Sequence, residues 1–257
     1  MARSQRDGGV LWFHNDGGHA PKLYATDLQG KFLGDVAIQG VRNHDWEDLA
    51  SIDLDGVPCL LVGDLGDNER RRKEGMIHII PEPKAPTAGG KTKPSRTLTF
   101  RYEDGPRDCE GFSIDPISRK LYLVEKTKEK ASIYSLDLNG PDDQTARKTG
   151  PLQLPAQPPA ASFLSTLKQG ILGGQVTAMD ISPDGRSAAI LTYTQCFVYK
   201  RSGGASWGET FSQLPARSIP LVQIHQPESA CFDSSGQQIH YTSEELPAPL
   251  KTLKVAK

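Results

Sequence analysis

Asp45-Trp46-Glu47-Asp48-Leu49-Ala50-Ser51-Ile52, followed by Asp53 to Gly56 and then by Cys59 to Val62 and Gly63-Asp64, contains the plan of the chain. It reads as a short strand opening on acidic residues, a tight Asp/Gly turn, and a second strand that ends on an acid. Helical periodicity is weak through most of the sequence. Short apolar runs bounded by Gly, Pro, Asn and Asp dominate, and such runs are strand signals.

The same unit recurs. It returns as Asp108-Cys109-Glu110-Gly111-Phe112-Ser113-Ile114, turn Asp115-Pro116, then Leu121 to Val124 and Glu125-Lys126. Val176-Thr177-Ala178-Met179-Asp180-Ile181 opens the next copy, with Ser182-Pro183-Asp184-Gly185, Ala188 to Leu191 and Thr192-Tyr193. The last is Pro227-Glu228-Ser229-Ala230-Cys231-Phe232, Asp233 to Gly236, Ile239 to Thr242 and Ser243-Glu244. Asp64, Tyr193 and Glu244 each follow their turn glycine (Gly56, Gly185, Gly236) by eight residues, and Asp16 follows Gly8 by eight. Val10 to Asp16 is therefore expected to be the second strand of a further unit, whose first strand would precede residue 6 and be mostly missing. That gap suggests a natural protein extending upstream of Met1.

Further strands are expected at Lys22 to Thr26, Phe32 to Ile38, Met76 to Ile80, Thr97 to Tyr102, Ser132 to Asp137 and Phe197 to Lys200. Four antiparallel strands per unit, in units of about 50–65 residues, predict an all-β fold, a β-propeller. Five blades are countable and six is the alternative, in a single domain over residues 1–257. Pro151 to Ala161 reads as a long surface loop and Phe163 to Leu172 as one short helix.

Bulk properties narrow the field. With 30 basic and 31 acidic side chains the formal charge is -1, which offers no basic stripe for nucleic acid. No apolar run approaches the roughly 20 residues needed to span a bilayer. The opening MARSQRDGG has no apolar stretch of a signal peptide. The four cysteines, Cys59, Cys109, Cys196 and Cys231, have no CxxC spacing and read as buried thiols.

Leu11-Trp12-Phe13-His14-Asn15-Asp16-Gly17-Gly18, Asp45-Trp46-Glu47-Asp48-Leu49-Ala50 and Gly63-Asp64-Leu65-Gly66-Asp67-Asn68 together resemble a family of bacterial β-propeller proteins with no settled activity, usually exported. Its pattern reads W-x-x-N-D-S-G, D-W-E-D-I-A and G-D-I-G-D-N. Cys109-Glu110-Gly111-Phe112, Val176-Thr177-Ala178-Met179-Asp180, Thr192-Tyr193 and Pro227-Glu228-Ser229-Ala230 agree with it, so the resemblance covers nearly the whole chain. Gly18 and Leu191 depart from it, as does the missing opening strand. The resemblance implies a propeller with an acidic site and a periplasmic or secreted setting; by analogy it points towards calcium propeller lactonases.

In an antiparallel blade the start of strand one and the end of strand two share a face. Glu47, Glu110 and Glu228, with Thr177 at the equivalent place, should therefore ring the channel, and Asp16, Asp64, Lys126 and Glu244 should stand just outside. Carboxylates crowded on one axis raise each other's pKa or recruit a cation. Oxygen donors without His or Cys favour Ca²⁺ over Mg²⁺ or Zn²⁺. The candidate metal ligands are Glu47, Glu110, Glu228, Asp64, Asp67 and Asn68. His14 and His44 are candidate proton carriers, and Arg70 and Lys126 candidate anchors for negative charge. Against each stands a plainer role: a solvated acidic rim, an Asx-turn at Asp64 to Asn68, histidines as hydrogen-bond partners, and Trp46 as core. The expected function is a divalent-cation-binding propeller acting as a metal-dependent hydrolase of a small ester, lactone or phosphoester on its top face. The alternative is a non-catalytic, calcium-stabilised propeller that binds a glycan, peptide or protein there.

Overall fold

The computed structural model describes residues 1–86, 88–127, 130–155, 174–244 and 248–255. The helix expected over 163–172, and most of the loop expected from Pro151 to Ala161, lie outside the described residues. The first antiparallel meander is β1 (Ala2–Arg3), β2 (Val10–His14), β3 (Lys22–Asp27) and β4 (Phe32–Ile38). The second is β5 (Trp46–Leu54), β6 (Val57–Asp64) and β7 (Gly75–Pro81); β8 (Gly90–Thr92) then leaves to pair in parallel with β4, and β9 (Arg96–Tyr102) completes the meander on β7. Next come β10 (Cys109–Ile114), β11 (Lys120–Glu125), β12 (Ser132–Asp137) and β13 (Asp143–Pro151). The fourth meander holds β14 (Val176–Ile181), β15 (Ser187–Thr192), β16 (Gln195–Lys200) and β17 (Arg217–Pro220), with helix α1 (Trp207–Phe211) before β17. The fifth is β18 (Pro227–Phe232), β19 (Gln238–Ser243) and β20 (Lys251–Lys254).

The innermost strands stand around one axis. β5 packs on β10, β10 on β14 and β14 on β18, while β1 touches both β18 and β5. The molecule is a β-propeller. Its opening inner strand is represented by Ala2–Arg3, paired to Trp12 and Leu11. β9 and β13 also pair in parallel, so the outer edges of the second and third meanders close on each other. Sequence periodicity carries no trace of that pairing, because it joins strands from different repeats.

Apolar side chains form wedges between neighbouring sheets. Trp12, Leu23, Trp46 and Leu60 fill the first to second boundary, Ile52, Leu61, Phe112 and Leu123 the second to third, and Val124, Met179 and Ile190 the third to fourth. Leu191, Val198, Phe232 and Tyr241 fill the fourth to fifth, while only Met1, Leu11 and Cys231, backed by Phe13 and Leu250, close the ring. All four cysteines are buried and free. The turn glycines Gly56, Gly185 and Gly236 have φ of 86°, 66° and 68°, the left-handed turn conformation that a side chain disfavours. In the third meander Arg119 adopts φ 56° in the corresponding hairpin.

Helix α1 is an addition that the strand reading did not contain. Ser206 and Glu209 form a reciprocal capping box at its start. It buries Trp207 and Phe211, with Phe211 meeting Tyr122 and Tyr199 at ring distances of 6.4 and 5.2 Å.

Candidate functional site

Each of the longer inner strands is interrupted at the same repeat position. The β5–β6 register jumps from Trp46↔Asp64 to Asp48↔Gly63, which leaves Glu47 unpaired. The same jump isolates Glu110 between Cys109 and Gly111, Thr177 between Val176 and Ala178, and Glu228 between Pro227 and Ser229. A bulge turns the extra residue out of the ladder and re-aims its side chain. Four bulges at one level therefore point side chains from well-separated parts of the chain at the same channel mouth. Thr177 is spent on structure, since its Oγ1 donates to the Pro227 carbonyl at 2.7 Å. The three glutamates all line one cavity of about 530 Å³, together with Asp16, Glu244, His14 and an apolar wall that includes Phe13, Tyr24 and Leu250.

Around this cavity titratable groups follow one another in a circuit. Glu47 hydrogen-bonds Glu110, and burial followed by the charge of Glu110 pushes the Glu47 pKa far above the carboxylate range. Lys126 Nζ donates to Glu110 Oε1 at 2.7 Å and lies 6.0 Å from the centre of the Tyr193 ring. Burial raises Glu110 to about 7 against the opposing pull of Lys126. Tyr193 donates its phenol proton to Glu228 Oε1 at 2.7 Å. A hydrogen bond with Glu228, then burial and the charges of Glu228 and Asp16, raises Glu244 to about 8. Asp16, Asp45 and Glu47 complete the circuit, each offering a carboxylate oxygen, the three lying within 4.8 Å of one another. Burial, then the charge of Asp16, pushes Asp45 up as well. A methyl group at Gly66 would run into the carboxylates of Glu47 and Asp45, so the chain passes directly over them.

His14 lines the cavity with its ring edge-on to Trp46 at 5.8 Å, and burial lowers its pKa to about 4, so it stands neutral. Trp46 is itself core, 1% exposed. His44 lies away from the cavity lining, its Nδ1 3.1 Å from Asp64. Asp64 is fully buried, accepts from the amides of His44 and Asp45, and pairs with Arg72 at 2.6 Å. Asp67 accepts from the amides of Arg71 and Arg72 at 2.8 and 2.7 Å, an Asx-type turn, and Asn68 beside it is exposed. Arg70 stands 3.6 Å from Glu125. Asp45 and Tyr193 were not among the residues singled out for the site. Asp45 does carry a signal, as the first acid of the Asp-Trp-Glu-Asp run, and Tyr193 sits at the strand-end position that elsewhere holds Asp16 and Glu244.

No family model matches the chain, and no curated protein matches it. Solved structures similar to it are propellers. A candidate 6-phosphogluconolactonase from Bacteroides uniformis superposes with a TM-score of 0.51 at 10% identity, over 96% of this chain and 64% of that one. The periplasmic gluconolactonase PpgL of Pseudomonas aeruginosa gives 0.48 at 14%, over 96% and 68%. The Cps50 (Swd1) β-propeller domain of Myceliophteria thermophila gives 0.46 at 12%, over 100% and 67%. The chain thus spans about two thirds of the length of these propellers, and at such identities the likeness is one of fold. Among the described residues no helix is long and apolar enough to cross a membrane.

Proposed function

We propose that the channel-mouth cavity binds a divalent cation, Ca²⁺ by its donor type, and hydrolyses a small ester, lactone or phosphoester. The supporting observation is the set of bulges that turns Glu47, Glu110 and Glu228 into a cavity already holding Asp16 and Glu244. Asp16, Asp45 and Glu47 fit a hard cation, being oxygen donors gathered within 4.8 Å. Once bound there, the ion would supply Lewis-acid polarisation of the substrate oxygen. Glu110 is held by Lys126 and Glu228 by Tyr193, so either carboxylate is placed to take a proton from water as it adds to the substrate's acyl or phosphoryl centre, and to return it to the departing oxygen as the C–O or P–O bond breaks. His14, neutral and on the wall, is held by hydrogen bonds to the backbone of Asn15 and Asp48 and orients the substrate there. Phe13, Tyr24 and Leu250 give the cavity an apolar wall for the carbon skeleton of the substrate. Lactones belong among the substrates to test because the Bacteroides uniformis propeller of the same fold bears that name.

The same apolar wall also suits a glycan or peptide, which is the rival reading: a propeller whose cation only stiffens the site. Calcium and EDTA titrations alongside an ester, lactone and phosphoester screen decide between them. Turnover that needs the ion and disappears in Glu110→Gln supports the hydrolase. Calcium-dependent melting without turnover on any of the three supports the binding module, and no response to calcium at all removes both.

A further inference from the structure

One side chain of the circuit has the wrong sign for its place. Asp16, Lys126, Tyr193 and Glu244 occupy equivalent strand-end positions of the repeat, with Leu65 at that place in the second meander, and Lys126 alone is basic. Its ammonium is mostly buried, 17% exposed, against a Glu110 side chain that is 6% exposed. It also faces the ring of Tyr193, whose hydroxyl holds Glu228. One fixed positive charge thus serves the Glu110 and Glu228 side of the cavity. Elsewhere in the circuit, among the described residues, no Lys, Arg or His comes within ion-pair distance of Asp16, Asp45 or Glu47.

We propose that Lys126 is a built-in cation, occupying the place a second metal ion would otherwise take in the cavity and leaving Asp16, Asp45 and Glu47 as the carboxylates available to a divalent ion. The proposal rests on the cation reading of the site. Lys126 is a positioning residue: it determines where the ion goes and how many bind, without touching the ion. Burial opposes its charge, but Glu110 outweighs burial and holds the ammonium protonated above the ordinary lysine range.

Calorimetric Ca²⁺ titration of the full chain tests it. Lys126→Met leaves Glu110 without its counter-charge, so affinity rises roughly tenfold or a second ion binds, while Lys126→Arg behaves as wild type. Glu110→Gln strands the ammonium beside the site and weakens Ca²⁺ by roughly tenfold. The double variant Lys126→Met/Glu110→Gln removes both charges and returns the affinity to near the wild-type value. If Lys126→Met does not fold, the comparison of Glu110→Gln with the double variant decides alone. Unchanged or weaker binding in folded Lys126→Met overturns the proposal, as does a double variant as weak as Glu110→Gln, which would make Glu110 itself a ligand. Wild-type binding lost in Asp45→Asn with no effect at Lys126 leaves the cation reading standing and removes this one. No binding by the wild type removes both.

Discussion

Glu110 and Glu244 hold their protons at pH values where an isolated glutamate has lost its own. Their pKa values of about 7 and about 8 lie above the ordinary value near 4.3, raised in Glu110 by burial and in Glu244 chiefly by its bond to Glu228. A carboxyl that is harder to ionise when folded contributes stability that is complete below the unfolded pKa and is lost as pH rises through the folded one. In EDTA the melting temperature should therefore fall between pH 5 and pH 8.5, and saturating Ca²⁺ should flatten the fall by replacing protons with the ion. Melts across that range, with and without Ca²⁺, check this; a flat or rising profile in EDTA would contradict it. Asp64 behaves differently. Fully buried, bonded to two amides and paired with Arg72, it is a structural acid. Asp64→Ala leaves the guanidinium without its buried partner and should cost about 3 kcal/mol in urea unfolding. An equal stability with lost Ca²⁺ binding would instead make Asp64 a ligand.

At the scale of strands and turns, the inner-strand glutamates were legible because the repeat keeps the strand-opening acid near its turn: Glu110 and Glu228 lie five residues before Asp115 and Asp233, and Glu47 six before Asp53. The bulges were not legible, since a bulge is a property of pairing between two strands and leaves no composition signal. Asp45 and Asp16 were harder still. They meet Glu47 only because the loop after β2 and the turn after β6 cross over the same spot, where Gly17 and Gly66 leave room for the carboxylates. Asp67 looked like a ligand by residue type, yet the local turn takes up both of its oxygens. Helix α1 has five residues, too few to show a 3.6-residue period. Gly66→Ala isolates what the turn contributes to the site. Its methyl group must displace Glu47 and Asp45, so Ca²⁺ affinity should drop by about tenfold. Gly66 is not among the positive-φ residues, so the melting temperature should move little. A large loss of stability at unchanged affinity would show that the turn, not the carboxylates, yields to the new atom.

The whole ring is held by buried side chains that bridge neighbouring inner strands. Asp48 on β5 accepts from the amides of Phe112 on β10 and Met179 on β14, both at 3.1 Å. Asp180 on β14 accepts from the Phe232 amide of β18 at 2.8 Å and from Ser113 of β10 at 3.0 Å. These bridges run from the second meander to the fifth, and Asp48 also lies 3.7 Å from the buried backbone nitrogen of Met1 at the start of the first. The seam between fifth and first meanders has the smallest apolar wedge, and the proposed ion site lies beside it, joining Asp16 of the first meander to Asp45 and Glu47 at the start of the second. Local opening follows the number of buried contacts that must be given up, so the ring should part first at this seam. Native-state hydrogen exchange should find the amides of β2 and β19 less protected than those of β6, β11 and β15. Because an ion across Asp16, Asp45 and Glu47 ties the first meander to the second, Ca²⁺ should slow exchange in β2 while leaving β15 unchanged. Protection in β2 equal to that in β11 without Ca²⁺ would mean that the ring closes as firmly there as elsewhere. A uniform rise on adding Ca²⁺ would mean that the ion stabilises the molecule as one unit, with no special hold on the seam.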